Sequence, residues 1–167
     1  MAAPSGASAS GNDNQRIARI ILEEPSRIRL SAQIENERRT AIYDLIENNR
    51  FVPSGGFTGP YVLRLELVDN RLVFRVFDID ERPLTRFTLS VAGLRRIVKD
   101  YFLVCDSYFN AIKSLPPSRI EAIDMGRRGL HNDGAEVLRE RLAGAAEIDH
   151  ATARRLFTLI CVLHIRP

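Results

Sequence analysis

The most restrictive feature of this sequence is a period-two alternation of apolar and polar side chains. It runs through three segments, Tyr61–Val68, Arg71–Asp78 and Leu84–Leu89. Asp69 and Asn70 separate the first two segments, and both residue types tolerate the positive φ that a tight turn requires. Alternating strands joined by short turns predict an antiparallel meander, with one face on a core and the other in water.

After Ser90 the apolar period changes from two to 3.6 residues, which predicts helices for the rest of the chain. Ser90 is a suitable N-cap for a first, long helix. Pro116 and Pro117 are predicted to end that helix and begin the next, because proline is tolerated in a first helical turn. A last helix is expected after Asp149, which is another suitable N-cap. This helix is apolar almost all round, so we predict that it lies at the centre of the core.

Two elements are predicted before the meander. Arg16–Leu22 has the composition of a strand, and Glu35–Phe51 has the apolar spacing of a surface helix. The order of elements predicts an α+β fold: an antiparallel meander sheet of three to four strands with helices packed on one face, and a helical C-terminal half. Residues 1–14 are small and polar and are expected to form a disordered N-terminal tail. Residues 15–167 are then a single α+β domain.

Charge and cysteine content exclude several classes of protein. The chain has 167 residues and a net charge of +3, from 24 basic and 21 acidic side chains, an excess too small to predict nucleic-acid binding. Cys105 and Cys161 lie in apolar helical patterns without metal-ligand spacing, so no metal site is predicted, and no cofactor motif is present. No segment has the apolar length of a membrane span or a signal peptide, so we expect a cytoplasmic protein without membrane contact.

The helical pattern of Met125–Leu142 is interrupted in its middle. Gly126 and Gly129 each cost a helix about 1 kcal/mol relative to alanine. Asp133, followed three residues later by Glu136, has the spacing of a capping box, which predicts a new helix from Gly134. Residues 126–134 are therefore predicted to form a bend between two helices.

Basic and proton-exchanging side chains are concentrated at this predicted bend. A helix N-terminus combined with guanidinium groups is a suitable anion site, and an imidazole beside it has a pKa suited to proton transfer. The candidate ligand-binding residues are Arg127, Arg128, Asn132 and Asp133, and the candidate catalytic residue is His131. The alternative is structural: Asp133 caps the helix, and the arginines pair with nearby acids such as Asp124.

Two more basic pairs, Arg95-Arg96 and Arg154-Arg155, are each interpreted as a solvated helix edge beside an apolar stripe. An anionic partner is expected only if these edges meet Arg127 and Arg128 in the folded protein.

The longest distinctive motif is the run from Arg119 to Gly134, which includes Met125-Gly-Arg-Arg-Gly-Leu-His-Asn-Asp-Gly134. With Asn49–Phe51, Gly59–Tyr61, Asn70–Phe74, Arg96–Tyr101 and Ala153–Thr158, it resembles a small alphaproteobacterial group, uncharacterised protein family 0262. The resemblance covers the chain from Arg16 to Arg166. It implies a bacterial cytosolic protein and supplies no activity, cofactor or catalytic residue.

Two classes of function agree with these features. The first is a small non-enzymatic interaction or regulatory module that docks a protein partner through its helical surface. It is favoured because no catalytic constellation is found in the sequence. The second is an enzyme or sensor that binds a phosphorylated or carboxylated small molecule at the 126–134 bend.

Overall fold

The computed structural model describes residues 14–24 and 31–164. The predicted tail, 1–14, lies outside the described residues apart from Asn14, as do Pro25 and Ser26. The strands are β1 (Ile17–Glu23), β2 (Phe51–Pro53), β3 (Tyr61–Val68), β4 (Arg71–Asp78), β5 (Pro83–Ser90) and β6 (Ala146–Ile148). The helices are α1 (Ala32–Glu47), α2 (Arg95–Ser114), α3 (Pro117–Leu142) and α4 (His150–Leu163). None of the helices in these ranges is both long and apolar enough to cross a membrane.

The main sheet has four strands in the order β1-β3-β4-β5. The three strands β3, β4 and β5 pair antiparallel, which confirms the predicted meander and the α+β class. Asp69 and Asn70 turn the chain with φ of 48° and 65°, as their residue types allow. The sheet is nevertheless not a pure meander, because β1 pairs with β3 in parallel, with Ile20 opposite Leu63. A parallel pair requires a long connection, and α1 lies within it.

A second sheet of two short strands was not predicted. In it β2 pairs antiparallel with β6, and Phe51 lies opposite Ile148. Phe51, predicted as the end of a helix, is the fully buried first residue of β2, and α1 ends earlier, at Glu47. The start of α1 is also earlier than predicted, because the Ser31 hydroxyl accepts a hydrogen bond of 3.3 Å from the Ile34 N–H.

The predicted helix boundaries differ in how well they agree with the structure. Pro116 and Pro117 separate α2 from α3, and the Asp149 carboxylate caps α4 by accepting a 2.9 Å hydrogen bond from the Thr152 N–H. Both predictions are confirmed. The prediction that Ser90 caps α2 is wrong, because Ser90 pairs with Arg71 as the last residue of β5 and the helix begins at Arg95.

The predicted break in the third helix is also wrong: α3 runs without interruption over 26 residues. Asp133 lies exposed in the middle of this helix and caps no helix end. Gly134 has a packing role, because a Cβ atom added there would lie 2.3 Å from Cζ of Phe157 on α4. Glycine lets the two helices approach closely, and this gain in packing outweighs its low helix propensity.

The helices cover one face of the main sheet and form a single core with it. As predicted, α4 is the central helix, with nine of its 14 residues buried. The opposite face of the sheet carries charged side chains, including an ion pair of 2.6 Å between Arg75 and Glu66. The residues of α4 that are not fully buried lie along one edge of the helix, and this edge borders a cleft.

Candidate functional site

A cleft of about 430 Å³ lies between α1, α3 and α4, and we call it the interhelical cleft. Its size is in the usual range for small-molecule sites. The lining residues are Asn36, Glu37, Thr40, Ala41, Asp44, Tyr101, Arg127, His131, His150, Ala151, Arg154, Arg155 and Thr158.

The two long walls of the cleft differ in charge. The wall from α1 contains Glu37 and Asp44, which lie seven residues apart on one face of the helix. The rest of the lining comes mainly from α3 and α4, and we call it the arginine wall because it contains Arg127, Arg154 and Arg155. An arginine is always charged in a protein, so the second wall carries three permanent positive charges.

His131 lies in the floor of the cleft between two aromatic rings. Its imidazole stacks on Tyr101 with ring centroids 5.4 Å apart and lies 5.7 Å from the Phe157 ring. Nδ1 accepts a 3.3 Å hydrogen bond from Nε of Arg154, and Nε2 lies 2.8 Å from the Thr158 hydroxyl oxygen. Because Nδ1 is an acceptor, the ring proton resides on Nε2 and is donated to Thr158.

The protonation state of His131 follows from this environment. Burial, together with the positive charge of Arg154, lowers the pKa of His131 to about 4. At neutral pH the imidazole is uncharged, and both of its nitrogens are occupied by intramolecular hydrogen bonds. The ring therefore positions the Arg154 guanidinium and has no free nitrogen for proton exchange with a ligand.

Arg127 is held at the edge of the cleft by its own helix. Asp124 accepts hydrogen bonds of 3.0 and 2.7 Å from the Nε and Nη2 atoms of Arg127. The guanidinium also lies over the Tyr108 ring, 5.1 Å from its centroid. The hydrogen bond from Arg127 lowers the pKa of the Asp124 carboxyl, so this pair is ionised at neutral pH.

Arg154 and Arg155 have donors that no acceptor among the described residues uses. Within the described part of the chain, Arg154 donates a hydrogen bond only through Nε, to His131. Arg155 donates one hydrogen bond of 3.0 Å from Nη1 to the Ala151 carbonyl. Its buried Nε has no partner among the described residues. Unused guanidinium donors at the border of a cleft can bind the oxygens of an anionic ligand.

Two further groups in the cleft have raised pKa values because of burial. Desolvation raises the pKa of Glu37, and the positive charge of Arg127 acts in the opposite direction. Desolvation also raises the pKa of the Tyr101 hydroxyl, and the nearby Cys105 and Glu37 add to that effect. Tyr101 is therefore a neutral hydrogen-bonding group throughout the physiological pH range.

The structure brings two of the five predicted site residues together. Arg127 and His131, four residues apart, share the α3 face that borders the cleft. Arg128 points elsewhere, with its side chain 68% exposed and its Nε atom 3.0 Å from Asp124. Asn132 and Asp133 are exposed and do not line the cleft. Since α3 is unbroken, the N–H groups of a helix N-terminus near Gly134, on which the predicted anion site relied, are used within the helix.

Several cleft residues were not identified as site residues from the sequence. Arg154 and Arg155 were interpreted as a solvated edge, but they line the same cleft as Arg127. The condition for an anionic partner is met only in part, because Arg128 and the Arg95-Arg96 edge do not line this cleft. The signal for the α1 wall was the polar stripe beside the apolar face of the helix, formed by Asn36, Glu37, Thr40 and Asp44.

Comparison with known proteins gives a consistent assignment. The model of the Uncharacterised protein family (UPF0262) matches residues 14–166. The chain is 57% identical over 152 residues to the UPF0262 protein of Paramagnetospirillum magneticum, covering 91% of this chain and 97% of that protein. It is 54% identical over 154 residues to that of Rhodospirillum rubrum, covering 92% and 95%. For Rhizobium johnstonii the identity is 55% over 138 residues, covering 83% and 88%. No solved structure gives a significant match.

Proposed function

The chain belongs to the alphaproteobacterial family UPF0262, and we propose that it is a small non-enzymatic regulatory module that binds a carboxylated or phosphorylated small molecule in the interhelical cleft. The observation that carries this proposal is the convergence of Arg127, Arg154 and Arg155 from two helices on one cleft. A cytosolic location, expected from the sequence, is part of the proposal.

The chemistry of the arginine wall supports an anionic ligand. A guanidinium donates two parallel hydrogen bonds to a carboxylate or phosphate, and these charge-assisted bonds are stronger than neutral ones. Arg154 and Arg155 retain N–H groups beside the cleft that no residue of the described ranges accepts. His131 holds the Nε atom of Arg154, which reduces the rotamer freedom that the side chain loses when a ligand binds.

The state of His131 favours binding over catalysis. A general base needs a free nitrogen near its substrate and a pKa near the operating pH. Both ring nitrogens are hydrogen-bonded to protein atoms, and burial lowers the pKa of His131 to about 4. The enzyme alternative therefore lacks the proton-transfer group that the sequence suggested for it.

Isothermal titration calorimetry and thermal unfolding test the proposal. The full chain is titrated with inorganic phosphate, succinate, citrate and a panel of amino acids and sugar phosphates. We expect at least one to bind and to raise the melting temperature, because a ligand of the folded state stabilises it by mass action. Arg154→Gln and Arg155→Gln should weaken binding about tenfold or more, because each removes a charged donor.

Arg128→Gln is the matched control. It removes the same charge from α3 at a position outside the cleft, so its affinity should equal that of the wild type. The proposal is rejected if none of these anions binds, or if Arg128→Gln weakens binding as much as Arg154→Gln.

The predicted protein partner gives a second candidate function, self-association through the outer half of the α2–α3 hairpin. In α3 the fully buried residues begin at Gly134, and Met125 is 68% exposed. Ile112 and Leu115 at the end of α2 are exposed as well. Exposed apolar side chains on a projecting helix pair favour coverage by another chain.

The charges on α3 favour a second copy of this chain as the partner that covers this surface. Glu121 and Arg128 are seven residues apart on one face of α3, so an antiparallel second α3 brings each beside its opposite charge. Sedimentation equilibrium should give a dimer for the wild type and a monomer for Met125→Glu. A monomeric wild type at about 100 µM, well above the dissociation constant of a stable dimer, rejects this candidate.

A further inference from the structure

We propose that the ligand of the interhelical cleft is a zwitterion, an amino-acid-like molecule whose acidic group faces the arginines and whose ammonium group faces Glu37 and Asp44. This inference rests on the proposed function and narrows it. The juxtaposition that carries it is the meeting of two carboxylates from α1 with three arginines from α3 and α4 in the lining of one cavity.

The α1 wall is acidic without a compensating cation of its own. Glu37 and Asp44 are the charged residues that this helix contributes to the lining, and Asn36 and Thr40 lie between them as neutral hydrogen-bonding groups. The neighbouring Arg38 is directed away, because its Nε atom donates a 2.6 Å hydrogen bond to Glu24. A bound ammonium group would therefore meet two carboxylates and the polar groups between them.

No direct ion pair joins the two walls within the part of the chain that the structure describes. Among the described residues, Arg127 is paired with Asp124 on its own helix, and Arg154 donates to His131. Arg155 donates to the Ala151 carbonyl of its own helix. The opposite charges of Glu37 and Arg127 act on each other through space, across a cavity of about 430 Å³. A ligand with one charge of each sign can fill that gap and pair with both walls.

The environment of Glu37 agrees with an ammonium ligand. Burial raises the pKa of the Glu37 carboxyl. The positive charge of Arg127 acts against this shift but does not cancel it. A cation placed beside Glu37 would stabilise the ionised carboxylate and lower that pKa.

A purely anionic ligand fits the cleft less well. Its binding would pair the arginine wall but would bring negative charge towards Glu37 and Asp44 and leave their carboxylates desolvated without a partner. Desolvated charges without partners are costly, so the acidic wall discriminates against dianions of similar size. The amine of the ligand is thus the group that the α1 wall selects.

Matched ligand pairs test the inference by calorimetry on the full chain. Each pair consists of an amino acid and the same carbon skeleton without the amine, such as L-glutamate with glutarate and L-aspartate with succinate, and the panel extends through the twenty standard amino acids. We expect at least one amino acid to bind about tenfold or more tightly than its amine-free counterpart, since the amine gains a charged pair.

Variants separate the two walls. Glu37→Gln should remove most of the preference for the amine while amine-free acids bind as before or more tightly. Arg154→Gln should weaken both members of each pair. Glu47→Gln, on the same helix but outside the cleft lining, should leave both affinities unchanged.

The outcomes distinguish this inference from the function on which it rests. If amine-free acids or inorganic phosphate bind as tightly as the amino acids, or tighter, the zwitterion assignment is overturned and anion binding stands. The same conclusion follows if Glu37→Gln leaves the preference intact. If neither amino acids nor simple anions bind, both proposals fail.

Discussion

Nε of Arg154 donates a 3.3 Å hydrogen bond to Nδ1 of His131, which makes a neutral imidazole the support for a charged guanidinium. Arginine beside histidine is an unfavourable pair if the histidine is protonated. The fold avoids that state by burying the ring between Tyr101 and Phe157, where its Nε2–H donates a hydrogen bond to the Thr158 hydroxyl oxygen. The pair therefore links the cleft directly to the packing of α3 against α4.

Stability should depend on pH through His131. Its pKa is about 4 in the folded protein, below the value of about 6.5 expected in an unfolded chain. Between these values the unfolded chain binds a proton that the folded protein does not, so the free energy of unfolding falls as the pH falls from 6.5 to 4. Urea unfolding should show a shallower fall for His131→Phe than for the wild type, since carboxylates common to both proteins cancel in the comparison. An NMR titration midpoint near 6.5 for His131 would contradict this assignment.

Gly134→Ala should destabilise the protein by about 1–3 kcal/mol, because the added methyl group overpacks the contact with Phe157. Gly129→Ala is the control on the same helix. Nothing lies within 4 Å of a Cβ atom at that position, so the higher helix propensity of alanine should stabilise the protein by about 1 kcal/mol. Urea denaturation of both variants measures the difference, and equal shifts of the same sign would show that the close contact is absent.

Asp149→Ala should cost about 1 kcal/mol in the free energy of unfolding, because the first turn of α4 loses the acceptor for the Thr152 N–H. Asp133→Ala removes the same side chain from the middle of α3, where the carboxylate is exposed and caps nothing. That variant should be as stable as the wild type or slightly more stable. A loss of stability in Asp133→Ala alone would restore the two-helix interpretation of this segment.

Asn49→Ala should cost about 1–3 kcal/mol, because three hydrogen bonds join this side chain to the backbone of β1 and α1. Its Oδ1 accepts from the Ile17 N–H at 2.7 Å, and its Nδ2 donates to the carbonyls of Ile17 at 2.9 Å and Leu45 at 2.8 Å. Thermal and urea unfolding are the measurements. Asn48→Ala, at the exposed preceding residue, should change stability by less than about 0.5 kcal/mol. If both variants lose the same amount of stability, the hydrogen bonds of the Asn49 side chain contribute little to the free energy of unfolding.

The sequence was most informative where local periodicity and turn chemistry agree. The alternation of Tyr61–Val68 and Arg71–Asp78 predicted the observed bounds of β3 and β4, and Asp69-Asn70 predicted the turn between them. The pairing of β1 was missed because alternation describes the faces of a strand, not its neighbour or its direction. The strands β2 and β6 have three residues each, too few for a detectable period.

The errors in the candidate site have one physical cause. The predicted bend relied on the helix propensity of Gly126 and Gly129 and on the capping spacing of Asp133, which are local properties. In the folded protein α3 is continuous and packs on Phe157 through Gly134. Arg127 and His131 still share a helix face, so they reach the cleft without the predicted bend. Glu37, Tyr101 and Arg154 come from three other helices, and their proximity is a tertiary property that single-helix patterns do not encode.

Two of the three cleft arginines, Arg154 and Arg155, lie on α4, whose other faces fill the interior of the protein. The same helix therefore serves both ligand binding and the stability of the fold. Leu156→Ala would leave a cavity beneath the site, and α4 would shift towards it. That shift would move the guanidinium groups of Arg154 and Arg155 relative to Glu37 and Asp44. The affinity for the ligand would then depend on the packing of the core, and substitutions that do not contact the ligand would still weaken its binding.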